Sequence, residues 1–63
     1  MPAISEIIDA KNAVIAILDQ KIADAIGLKN AGASGMDDIV HTLMEQRQAV
    51  LVEAANAALL LPN

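Results

Sequence analysis

Apolar residues recur along this chain at the three-and-four spacing of a helix face, in two stretches separated by a glycine-containing break. With Met1, Ile8, Ile15 and Ile22 placed at heptad position a, position d holds Ile4, Lys11, Leu18 and Ala25. Position g then holds Ile7, Val14, Lys21 and Leu28. Together these positions predict one broad apolar face, broken mainly by Lys11 and Lys21. Ile17 falls off that face, close to Ala10, Ala13 and Ala16, so the first helix is apolar over more than one side. In the second stretch Met36, Val40, Leu43, Arg47, Val50, Ala54, Ala57 and Leu61 step by four and three. Met44, Leu51, Ala55 and Ala58 widen the stripe, and Ile39, Val52, Leu59 and Leu60 lie outside its centre. Neither stretch alternates as a half-buried strand does. The pattern predicts an all-α fold: an antiparallel two-helix hairpin forming a single unit over 1–63.

Local signals set the expected boundaries. The first helix is placed at about 2–26, with Pro2 at the first helical position, where its missing N–H costs nothing. Ser5 is a second candidate cap, and Glu6 and Asp9 suit the positive end of the helix dipole. Gly27 followed by Leu28 reads as a helix stop. The connector is placed at 27–35, where Asn30, Gly32, Ser34 and Gly35 mark a turn region. The second helix is placed at about 35–61, opening on a capping box made by Ser34 and Asp37 and closed by Pro62.

A hairpin of this kind has more apolar surface than its own seam can hide. Two helices bury one stripe each and leave the flanks uncovered. Covering one further Ile or Leu is worth roughly 1.5–3 kcal/mol, so four or five of them rival the stability of a small domain, about 5 kcal/mol at the low end. The expectation is therefore assembly into a four-helix bundle or a larger helical oligomer. The expected interface residues are Ile4, Ile7, Ile8, Ile15, Ile17, Leu18, Ile22, Ile39, Val40, Leu43, Met44, Val50, Leu51, Leu59 and Leu60.

Composition strengthens this expectation. The chain has 63 residues, 56% of them hydrophobic, with no aromatic residue and no cysteine. Disulfides and zinc–thiolate sites are excluded, and a chain this short that lacks them commonly relies on association. Thirteen alanines, several of them early in the first helix and late in the second, either form a close-packed docking seam or reflect alanine's high helix propensity.

Charge narrows the partners. Eight acidic residues against four basic ones give a net charge of −4. Lys11, Lys21, Lys29 and Arg47 do not cluster, and no aromatic side chain can stack on a base, so nucleic acid is not an expected partner. An anionic membrane surface is disfavoured by the same electrostatics. The longest charge-free run, 54–63, is far short of the roughly 20 residues of a membrane span. The first residues do not read as a secretory signal, because Glu6 and Asp9 precede the first base, Lys11. A cytoplasmic or particle-associated protein is the expectation.

If the turn centres near residue 32, positions whose numbers sum to roughly 64 face each other. Lys11 then comes opposite Glu53, and Arg47 lies one turn from Asp19. These four residues are candidate ion pairs that hold a greasy seam in one register. Alternatively, the long stems cover apolar surface while their charges reach water.

The sequence carries little reaction chemistry. His41 has Asp37 four residues before it and Glu45 four after, on one helix face, but a lone histidine is a poor basis for a catalytic metal site. Gly27, Gly32 and Gly35 do not make a phosphate-binding loop, and Ser5 and Ser34 have no partnered base. A two-helix chain offers little concave volume for a small-molecule substrate. No catalytic, cofactor-binding or metal-ligating residue is assigned, and no cofactor is expected. In length and hairpin outline the chain resembles the small Rop-type RNA-binding bundle proteins, by architecture alone; no sequence motif carries the likeness, and the basic RNA-facing surface is missing.

The function expected is that of a non-enzymatic structural or assembly subunit, a homo-oligomer or a part of a larger protein assembly such as a virion or other particle. The alternative is an acidic regulatory adaptor, or an antitoxin-like module, that binds a basic protein through Glu6, Asp9, Asp37, Asp38, Glu45 and Glu53.

Overall fold

A computed structural model describes residues 3–61, and within these the protein is two helices packed against each other as an antiparallel hairpin. Helix α1 spans Ile4–Asn30 and helix α2 spans Met36–Ala58. The described residues include no strand.

The fourteen described residues that are not exposed show where the seam lies. They are Ile4, Ile8, Lys11, Ile15, Leu18, Ile22 and Ala25 from α1, and Met36, Val40, Leu43, Arg47, Val50, Ala54 and Ala57 from α2. Each set follows the alternating four-and-three step of heptad positions a and d without a break. The seam is thus narrower than the a, d and g face expected from the pattern of α1. Position g lies roughly 90° around the helix from the middle of an a/d stripe, and a single partner helix does not reach that far. Ile7, Val14 and Leu28 are accordingly exposed.

Helix α1 runs one turn beyond the expected end near residue 26. Gly27 lies inside the helix, and its carbonyl accepts the N–H of Ala31 at 3.0 Å. The stop is made by Gly32, whose φ of 101° is in the left-handed region that a side chain disfavours. The N–H of Gly32 donates to the carbonyl of Lys29, and that of Ala33 to the carbonyl of Leu28, both at 3.0 Å. This pair of backward bonds is the Schellman arrangement, which satisfies carbonyls that the helix leaves free. Gly27 and Gly32 are both chemically able to stop a helix. Leu28 and Lys29 continue the helix past the first, whereas the turn sequence follows the second. The connector therefore shortens to residues 31–35.

The helix starts also differ from expectation. Ala3 is the N-cap of α1, no side chain caps it, and Ser5 lies within the first turn. Pro2 and Pro62 lie outside the described residues. Gly35, at φ 77°, occupies the N-cap position of α2, so the capping box of Ser34 and Asp37 does not form. The Asp37 carboxylate instead meets Lys29 Nζ at 2.6 Å, across the connector. Helix α2 ends at Ala58 rather than near 61. Leu60 and Leu61 donate to the carbonyls of Ala57 and Ala58 at 3.0 and 3.2 Å, a tightening of the last turn.

Candidate interaction surface

The surface of this rod is marked by ion pairs across the seam and by uncovered apolar flanks. Lys11, at a d position of α1, donates from Nζ to Glu53 Oε2 at 2.7 Å. Arg47, at an a position of α2, donates from Nε to Asp19 Oδ1 at 2.5 Å. The structure therefore brings together both pairs formed by the four residues singled out for register. In both, the cation is the more covered partner: the side chains of Lys11 and Arg47 are 35% and 37% exposed, those of Glu53 and Asp19 54% and 53%. The stems thus help to cover the seam while the charges meet at its edge, so pairing and stem coverage occur together. Exposed pairs of this sort contribute about 0.2–1 kcal/mol each.

The ion pairs also locate the two sides of the hairpin. Glu53 stands at a g position of α2, whereas Asp19 and Asp37 stand at e positions of their helices. In an antiparallel pair the two g lines share one side of the seam and the two e lines share the other. Lys11–Glu53 crosses on the g side; Arg47–Asp19 and Lys29–Asp37 cross on the e side.

The residues proposed for the interface divide in two. Ile4, Ile8, Ile15, Val40, Leu43 and Val50 are half-buried, and Leu18 and Ile22 buried, all within the hairpin's own seam. Ile7, Ile17, Ile39, Met44, Leu51, Leu59 and Leu60 are exposed. Val14, Ile26, Leu28, Val52 and Leu61 join them, which makes twelve large aliphatic side chains left open among the described residues. Against these, the core consists of Leu18, Ile22, Ala25 and Ala54. Ile26 is the member of this set that the apolar pattern of the sequence does not mark. It follows Ala25 at the next position, e, and an amphipathic reading that ends at a Gly27 stop gives it no partner to lack.

The His41 group does not converge. His41 Nε2 lies 2.8 Å from Glu45 Oε1 on the open face of α2, while Asp37 is drawn away to Lys29. Among the described residues, no three His, Asp or Glu side chains come together in a way that could hold a metal ion. A shallow, open depression of about 250 Å³ runs along the g side of α2, between Asp38, Ile39, Thr42, Leu43 and Gln46. Its lining has no histidine, and its single carboxylate stands without a second acid or base. None of the described helices is long and apolar enough to cross a membrane.

No family model matches the chain, and no curated protein or solved structure resembles it at a significant level.

Proposed function

We propose that the protein is a non-enzymatic assembly subunit: a helical hairpin whose task is to pack, through its open aliphatic flanks, against copies of itself in a four-helix bundle or larger helical oligomer. The observation that carries this reading is the imbalance between twelve open large aliphatics and a four-residue core in which two members are alanine. Most of the twelve lie on helices, where backbone geometry holds them in fixed rows rather than letting them collapse onto one another. A rigid helical partner is the kind of surface that can match such rows. The ion pairs of Lys11 with Glu53 and of Arg47 with Asp19 then fix the alignment of the hairpin, so that the rows on its two helices keep a constant relation.

The test is sedimentation of the purified chain at low and at high salt. Association through aliphatic rows persists as salt rises, because its driving force is not screened. A folded single chain at micromolar concentration in both conditions overturns the proposal. Complexes that form with a basic protein at low salt and dissolve at moderate salt would support the acidic adaptor instead.

A further inference from the structure

We infer that the partner on the g side is a second copy of this chain, stacked with its connector at the same end, so that α1 of each hairpin lies over α2 of the other. This deepens the assembly reading and rests on it. The g side carries Ile7, Val14 and Leu28 from α1, Ile39 from α2 and Leu60 from the turn that follows α2, all exposed. The e side is poorer: Ile26, Met44 and Leu51 are its exposed large apolar residues, and Ser5, Asn12, Asp19 and Asp37 interrupt them along its two e lines.

The ion pairs supply a ruler for height along the rod. Lys11 meets Glu53, Asp19 meets Arg47 and Lys29 meets Asp37, so residues whose numbers sum to 64–66 stand at one height. By this ruler Ile7 stands level with the space between Asn56 and Leu60, and Leu28 stands within a turn of Ile39. Two-fold stacking with the dyad along the rods keeps every height unchanged. It therefore lays Ile7 beside Leu60 of the second copy and Leu28 beside Ile39 of the second copy. Val14 comes between Ala49 and Glu53, Ile17 against Ala49, and Lys21 against Gln46 and Thr42, which can accept its hydrogen bonds. No adjustable offset enters this match. Glu53 is the single carboxylate on the g line of α2, and Lys11 of its own hairpin already neutralises it.

The competing stack places the dyad across the rods, with connectors at opposite ends. It pairs Ile7 with Leu28 on α1, but on α2 it lays Ile39 against Asn56 and Glu53, an apolar-on-polar contact at both ends. The area is adequate for a specific dimer. A broad face of the hairpin measures 48 by 19 Å, roughly 900 Å² in projection, close to the ~800 Å² each partner contributes to a standard interface.

Single cysteines test this cleanly, because the chain contains none of its own. I7C protein is mixed with L60C protein, and L28C with I39C, and each mixture is oxidised under exchange conditions after circular dichroism has shown that helicity is retained. Each mixture should give its mixed disulfide well above the statistical share. Mixed disulfides from I7C with L28C would overturn the arrangement in favour of opposed connectors. Absence of all these disulfides in a chain that still sediments as a dimer would overturn the choice of face. A second readout is I17K, which should weaken association at least about tenfold, a loss of roughly 1.4 kcal/mol, while N12K, at an exposed polar position on the e side, leaves it unchanged; the reverse result also overturns the inference. Only a folded single chain for the unaltered protein would overturn the assembly reading itself.

Discussion

Two glycines separate local conformation from sequence position. Gly27 is helical and a Cβ built on it meets nothing within 4 Å, whereas Gly32, equally uncrowded, has φ +101°. Alanine at residue 27 should therefore stabilise the hairpin by about 0.5–1 kcal/mol, since glycine's backbone freedom is costly inside a helix. At residue 32 the same change should destabilise it by about 1 kcal/mol, because a side chain strains the left-handed turn. Chemical denaturation of G27A and G32A decides the matter. Shifts of the same sign in both would mean that the helix does not end where the Schellman bonds place it.

At the scale of the helices, the alignment of α1 with α2 depends on few features. A seam of Ile, Leu, Val, Met and Ala is tolerant of slippage, and Lys11 and Arg47 are its only charged members. Replacing both by methionine should raise or leave unchanged the melting temperature, because apolar replacements often match or exceed an ion pair. Glu53 and Asp19 are then left unpaired but remain in water. The same variant should lose its single register, seen as doubled or broadened amide resonances. One sharp set of resonances would show that side-chain packing alone fixes the alignment. Much of this element-scale picture could be read from the sequence, because a and d positions recur without interruption from Ile4 to Ala25 and from Met36 to Ala57. The turn was harder to place. Gly27, Gly32 and Gly35 carry equal stop signals in isolation, and hydrogen bonding around the connector chooses among them. The capping box of Ser34 and Asp37 failed for a related reason: Lys29 is in reach of Asp37 once α1 extends to Asn30, and no local motif reveals that competitor. The uncovered rows were legible in part. Ile17, Ile39 and Leu60 stand off any a/d stripe in the sequence itself, but the exposure of the g line in α1 depends on how far one neighbouring helix reaches.

As a whole, the molecule is a rod. Its radius of gyration is 14.7 Å, against about 10–11 Å for a compact domain of this length. Its accessible surface is 4584 Å², against about 3,900 Å² for a folded monomer of its mass. Both departures have one cause: two long helices side by side have a seam but no interior, and no described side chain is fully buried. On the proposed assembly, this rod is one layer of a thicker bundle and owes much of its order to the neighbour. Helicity and mass should then rise together with concentration. The most direct measurement is a dilution series of the unaltered chain from high to low micromolar, followed by circular dichroism and sedimentation on the same samples. The account predicts a cooperative loss of helix in step with the passage from associated to single chains. Full helicity in a species of one-chain mass, unchanged across the series, would contradict it.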